Sequence, residues 1–134
     1  MESSQDAIIG QSLDGVITSW NRGAERMYGY SAEEAVGQPI TMLTPPDVVN
    51  ELPQIMERLA RGEMIEHYET VRMRKDGSLL DVSLSISPIV DQTGRVVGAA
   101  KIARDITDKK ALEAELRRRV EELAAADRRK DEFL

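Results

Sequence analysis

Through the first hundred positions, short apolar runs alternate with turn residues. Ala7, Ile8 and Ile9 precede Asp14-Gly15, and residues 16–20 follow, so two β-prone runs flank a D-G dipeptide and predict a hairpin. Asn21 before residues 22–28, with Gly29 after them, supplies the cap and stop of a short helix. Ser31 with Glu34 three residues later is a capping box for a second helix, which Gly37 ends. Pro39, Pro45 and Pro46 predict irregular chain, with at most one turn around Ile40–Leu43. Asp47 is the expected cap of a longer helix reaching about Arg61. Pro53 lies inside that span and predicts a kink or a late start, and Gly62 closes it.

Three strands are expected next. Residues 64–74 lead into the turn Lys75-Asp76-Gly77-Ser78. Leu80, Val82, Leu84 and Ile86 then alternate with Asp81, Ser83 and Ser85, a period-2 strand with one buried face. By that parity Leu84 and Ile86 face the helices. Asp91-Gln92-Thr93-Gly94 turns the chain, and residues 96–106 form the last strand. The order β-β-α-α-α-β-β-β-helix predicts an antiparallel sheet interrupted by short helices, an α+β fold without internal repeats.

Composition divides the chain at residue 107. The net charge of −6 lies wholly in residues 1–107, with 16 acidic and 10 basic residues, while residues 108–134 hold 8 of each sign. All nine Gly and five Pro precede residue 99, so the tail is breaker-free and helix-prone. Two units follow: a turn-rich domain over 1–107 and a long helix over 108–134. The acidic body argues against nucleic acid. Arg117–Arg119 is a neutralised helix face, because Glu113–Arg117, Glu115–Arg119, Arg117–Glu121 and Arg118–Glu122 are opposite-sign i,i+4 pairs.

With no cysteine, disulfides, thiolate metal sites, cysteine nucleophiles and cysteinyl–flavin adducts are excluded. The lone His67 cannot build a multi-histidine metal site. No stretch approaches about 20 apolar residues and no leader pattern opens the chain, so neither membrane contact nor export is expected, and a cytoplasmic setting is. P-loop, H-E-x-x-H and nucleophile-elbow motifs are absent, so no enzymatic activity is expected.

Three strings then become informative in order and spacing: DGVITSWNRGAERMYGYSAEEAVGQPI (14–40), RKDGSLLDVSLSISPI (74–89) and GAAKIARDIT (98–107). Together they resemble the PAS domain, a sensory module common in bacterial signalling kinases, over about residues 5–107. The string ADRRKDEFL (126–134) resembles the opening of a histidine-kinase dimerisation helix, and in that family the phosphoacceptor box comes just after it. The chain therefore resembles a piece of a sensor histidine kinase without its catalytic parts, trimmed at its start as well, where relatives often carry a helix. The resemblance implies a five-stranded antiparallel sheet in order 2-1-5-4-3. Short helices cover one face, with a pocket or packed core between, and output leaves through the C-terminal helix.

The resemblance also bears on cofactors. Light-sensing relatives carry a cysteine three positions after the helix-ending glycine; here that position is Ile40. Haem-binding relatives place their histidine near Asn50–Leu52, where Glu51 is the closest match, and His67 lies in a strand instead. Non-covalent flavin is the remaining alternative, but Trp20, Tyr28, Tyr30, Tyr68 and Phe133 are few, and Trp20 beside NRGAE also suits strand-end packing. No cofactor is expected.

By alignment with haem- and flavin-binding relatives, Ala99, Lys101 and Ala103 share the inward parity of the last strand, and Tyr68 is inward by the same logic. Val71 and Met73 have the opposite parity from Tyr68, so a bulge is expected between them. The pocket candidates are Trp20, Ile40, Tyr68, Leu84, Ile86, Ala99, Lys101 and Ala103. Small alanines at 99 and 103 leave room either for a small-molecule ligand or for Met27, Met42, Met56 and Met73 as ordinary core. An inward Lys101 needs a partner, either Glu69 or the carboxylate of an anionic ligand.

For output, the resemblance implies that Asp105 pairs with a basic core residue, simple capping being the alternative, and Thr107 or Asp108 is expected as the N-cap of the long helix. Leu112, Leu116, Val120 and Leu123 step by 4, 4 and 3, a stripe along which two chains pair in a homodimer. The expected function is sensory input and dimerisation in a two-component histidine kinase. The rivals are a ligand-free scaffold for protein contact and a flavin-binding redox sensor.

Overall fold

In the computed structural model, which describes residues 5–132, the chain forms five strands and four α-helices. They follow in the order β1 (Ala7–Ser12), β2 (Ile17–Trp20), α1 (Arg22–Tyr28), α2 (Ala32–Ala35), α3 (Glu51–Ala60), β3 (Ile65–Met73), β4 (Leu79–Val90), β5 (Val96–Asp105) and α4 (Thr107–Glu132). The strands make one antiparallel sheet in the order β2-β1-β5-β4-β3, as expected. Phe133 and Leu134, which end the string 126–134, lie outside the described residues.

Local chemistry accounts for the hairpin and first helix. Asn21 Oδ1 accepts from the Ala24 amide at 2.8 Å, the capping bond, and from the Ile8 amide at 2.9 Å. Its Nδ2 donates to the Asp6 carbonyl at 3.2 Å. One side chain thus caps α1 and ties it to β1. Gly23 sets the approach: a Cβ there would collide with the Asp6 carbonyl oxygen, so α1 packs backbone against backbone. Gly29 ends α1 in the left-handed region at φ 87°, its amide bonded to the Glu25 carbonyl. Ser31 and Glu34 form the reciprocal capping box of α2.

The stretch after α2 departs from expectation. A 3₁₀ turn covers Ile40–Leu43 as anticipated, but Asp47 does not cap the longer helix. It sits in a second 3₁₀ turn, Pro46–Val48, and α3 starts late at Glu51. Pro53 is the reason. At the third helical position its missing N–H is one that no helix satisfies anyway. A helix beginning directly after Asp47 would place Pro53 deeper, where an intrahelical bond is lost.

The other correction concerns β3. Its register shifts between Ile65 and Tyr68, and His67 lies there at φ 54°, exposed. The bulge therefore precedes Tyr68 and does not fall between Tyr68 and Val71. Beyond it Tyr68, Thr70 and Arg72 alternate inward, while Val71 and Met73 lie on the opposite face. The apolar pair suggests the reverse parity.

The core lies between the sheet and the helices. Ala7, Ile9, Ile17, Leu80, Val82, Leu84, Ile86, Ala99 and Ala103 come from the strands, and Tyr28, Ile55 and Leu59 from the helices. Val82, Leu84 and Ile86 keep the predicted inward parity along β4.

Asn21→Ala removes three hydrogen bonds at one junction. We expect a loss of about 2 kcal/mol, at the upper end for a helix cap because the β1 bonds go with it. Urea denaturation followed by circular dichroism measures this; a change under about 0.5 kcal/mol would contradict the assigned role.

Candidate functional site

The register of β5 decides where the site forms. Lys101 lies between Ile9 of β1 and Ile86 of β4, in the middle of the sheet, with its side chain on the inner face. Gln11 follows on the inner face of β1, opposite Ala99. Together with Ile40 and Ile55 these two form the buried floor of a cavity of about 190 Å³. Leu52 and Met56 of α3 wall it, and the exposed Leu13, Asp14 and Thr41 stand at its mouth.

The floor carries unspent polarity. Lys101 is 5% exposed and makes no hydrogen bond or ion pair with any described residue. Gln11 is 2% exposed; its Oε1 has no partner among the described residues, and its Nε2 reaches no nearer than Ser12 O at 3.5 Å and Met56 Sδ at 3.6 Å. Burial, reinforced by the Arg72 cation, lowers the Lys101 pKa to about 7. Arg72 itself is buried but held: Nη1 lies 3.2 Å from Glu51 Oε1 and donates to Val71 O at 2.9 Å, while Nη2 has no partner among the described residues. Glu51 also accepts from Thr70 Oγ1 at 2.6 Å, so both of its carboxylate oxygens are engaged, and burial together with this carboxylate raises the pKa of the neighbouring Tyr68 hydroxyl. At the mouth, the hydrogen bond from Ser12 Oγ keeps Asp14 below the usual carboxylate range.

Of the eight pocket candidates, Ile40 and Lys101 line this cavity. Leu84, Ile86, Ala99 and Ala103 share the inner face with Lys101 as packed core. Tyr68 is half-buried beside Glu51. Trp20 does not line the cavity. Its Nε1 donates to Tyr30 O at 2.9 Å, and its ring packs on Tyr28 and edge-on to Tyr30, with centroids 5.6 and 6.5 Å apart. Glu69 does not reach Lys101 either: it lies on the other face, with Lys110 Nζ at 2.7 Å and Lys109 Nζ at 3.2 Å. Met56 lines the cavity, Met27 is core and Met42 packs against the core, while Met73 is on the outer face.

Sequence reasoning misses Gln11, Asp14, Thr41, Leu52, Ile55 and Met56 as cavity residues, and it misses the Glu51–Thr70–Arg72 cluster. Gln11 carries a signal, being a polar residue on the parity of Ala7 and Ile9. Arg72 carries a weaker one: it shares the inward parity of Tyr68, but the apolar Val71 and Met73 argue for the opposite face.

The exit from the sheet is built around Asp105. Its Oδ1 accepts from the Thr107 amide at 2.9 Å and the Thr107 hydroxyl at 2.6 Å, and its Oδ2 lies 3.9 Å from Arg74 Nη2. The side chain at the start of α4 is thus supplied by Asp105, while Thr107 is the first helical residue rather than the cap. Arg74 also donates to the Met27 carbonyl at 3.2 Å, linking α1 to this junction. Further along, Leu112, Leu116, Val120 and Leu123 are 54–69% exposed, an apolar stripe that is mostly in solvent. Glu115 pairs with Arg118 at 2.7 Å and Arg119 at 3.3 Å on the charged side.

The PAS domain family model matches residues 5–108, which decides the family. The chain belongs to the PAS domain family. A two-component system protein of Emericella nidulans is 38% identical over 81% of this chain and 16% of its own length. The signal transduction histidine-protein kinase AtoS of Escherichia coli K12 is 29% identical over 82% of this chain and 18% of its own. A crystal structure of the PAS domain of a Colwellia psychrerythraea protein superposes with a TM-score of 0.71 at 36% identity, covering 78% of this chain and 89% of that one. This PAS chain therefore spans less than a fifth of those two curated relatives. Among the described residues no helix is long and apolar enough to cross a membrane, and no group of three His, Asp or Glu side chains is placed to hold a metal ion.

Lys101 makes the domain's stability pH-dependent. The unfolded chain holds the lysine proton up to its ordinary value of 10.5, and the folded chain releases it near 7. Between those values the unfolded state binds more protons, so stability rises as pH rises from about 7 to about 10. Lys101→Met is expected to raise stability at pH 7 by about 1–4 kcal/mol and to flatten that rise. Urea titrations at pH 7 and pH 10 test it; equal or lower stability of the variant at pH 7 contradicts an uncompensated buried lysine.

Proposed function

We propose that this chain is the sensory input and dimerisation module of a two-component histidine kinase, working in the cytoplasm without a coloured cofactor. In this reading two copies pair through α4, and the state of the cavity passes to the kinase part along that helix. One observation carries it: α4 leaves the central strand β5 directly and holds Leu112, Leu116, Val120 and Leu123 in solvent. An isolated helix of this length with a charged majority is marginal, and pairing along the stripe buries what the monomer exposes.

The two-component and histidine-kinase relatives support the kinase assignment. The cavity's size supports the absence of flavin, since it lies below the roughly 300 Å³ at which pockets for drug-sized ligands begin. No aromatic side chain is among the described residues that line it. A second reading, a scaffold for protein contact, is favoured by the cross-strand neighbours Ile8 and Ile102, both exposed on the outer sheet face.

The chain has no native cysteine, which makes a cross-linking scan clean. Leu116→Cys and Leu123→Cys, one heptad apart, are expected to give disulfide-linked dimers on mild oxidation, and Arg118→Cys far less. Absence of cross-linking at 116, 120 and 123, or equal yields on both faces, counts against helix pairing. Cross-links at Ile8→Cys and Ile102→Cys alone would favour the scaffold.

A further inference from the structure

Buried positive charge without a matching negative one marks a place for an anion. Around the cavity the buried cations are Lys101 and Arg72, and Glu51 already pairs with Arg72. Lys101 is left over, in a cavity that has room beside it. Gln11, buried and poorly satisfied, stands on the same floor with both an amide donor and an unpartnered carbonyl. Leaving such groups unmet is costly, and a ligand that meets them regains that cost on binding.

We propose that this cavity binds a small monocarboxylate, with its carboxylate on Lys101 Nζ and the Gln11 amide and its aliphatic chain along Leu52, Ile55 and Met56. The assignment deepens the sensory reading above, on which it rests, by naming the chemical class of the input.

Three features narrow the class. The cavity volume admits a chain of about four to six carbons, smaller than a drug-sized ligand. The walls beyond the floor are apolar, so the body of the ligand is hydrocarbon. The mouth carries Asp14, whose ionised carboxylate repels a second carboxylate at the far end of the ligand. A dicarboxylate therefore binds worse than a monocarboxylate of equal length.

Binding also takes up a proton. A carboxylate beside Lys101 favours its ammonium form, against burial and the Arg72 cation from β3; the carboxylates nearest the cavity, Glu51 on α3 and Asp14 at the mouth, are held by Arg72 and by Ser12. Affinity is expected to fall by up to about tenfold per pH unit above pH 7.

Isothermal titration of the whole chain with pentanoate, butanedioate and chloride at pH 6.5 and 8.5 tests the proposal. The expected result is one saturable pentanoate site per chain, at least tenfold weaker binding of butanedioate, weaker binding at pH 8.5, and loss of the site in Lys101→Met. Leu52→Phe, which fills the cavity and leaves Lys101 in place, is expected to weaken pentanoate at least tenfold. No pentanoate binding at 20 mM, binding that survives Lys101→Met, or chloride competing on equal terms overturns the assignment. Oxidative cross-linking of the Leu116→Cys and Leu123→Cys variants, each also titrated with pentanoate, separates this from the relay. Failed pentanoate binding with cross-linking intact overturns the ligand class alone. Pentanoate binding without cross-linking supports the ligand class and overturns the pairing.

Discussion

Everything in this fold hangs on the register of β5. It is the central strand, and it joins the N-terminal pair β1–β2 on one side to the pair β3–β4 on the other. A slip of one residue would turn Ala99, Lys101 and Ala103 outward and bring Ala100, Ile102 and Arg104 into the core. Arg104 cannot be accommodated there, and in the register observed it faces out and pairs with Asp6 at 3.2 Å. Gly98 guards the same register, since a Cβ there would lie 2.5 Å from the Gln11 carbonyl oxygen. Ala99 and Ala103 then pack into the core on either side, and Lys101 between them reaches the cavity floor beside Gln11.

The consequence is an electrostatic imbalance that the apolar layers cannot relieve. Arg72 and Lys101 both enter the inner face, one from the edge strand β3 and the other from the central strand. Arg72 arrives with Glu51, Thr70 and the backbone of Val71 within hydrogen-bond reach. Lys101 arrives between Ile9 and Ile86, and these neighbours offer no side-chain acceptor. The same sign of charge is thus tied down in one place and open to titration in the other. A lysine responds to such surroundings by shedding its proton, which an arginine cannot do. Position 101 is therefore the variable charge in the core and position 72 the fixed one.

How much of this was legible depended on whether the determining interactions were local. The capping bonds of Asn21, Gly29, Ser31 and Glu34 span no more than four residues, and those caps are readable from spacing. The alternation along β4 is equally plain, because from Leu79 to Ser87 both of its faces follow one period. The span of β3 and the inward Tyr68 were legible, but the position of its bulge was not: the extra residue lies at Ile65–Tyr68, and Val71 and Met73 outweigh Thr70 and Arg72 in the apolar pattern beyond it. The start of α3 was half legible, since Pro53 announces a late start but not the 3₁₀ turn at Pro46–Val48 that takes up Asp47. Lys101 is placed inward by family resemblance. Its lack of a partner, however, depends on Glu69 turning to Lys109 and Lys110, a contact between distant segments that no local pattern encodes.

The same strand that positions the lysine also ends at the exit. Asp105 follows Lys101 by four residues, a span of about 13 Å in an extended chain, and it holds Thr107 while facing Arg74. Arg74 in turn is bonded to α1, so the base of α4 feels both the central strand and the helical layer. A ligand moves such a junction only if it binds two arrangements of it unequally. For the proposed carboxylate ligand, the two states would be a protonated Lys101 held toward the ligand and a neutral Lys101 between Ile9 and Ile86, differing in charge at the centre of the strand. In the proposed relay, a ligand can bias α4 by no more than its difference in affinity for those two states.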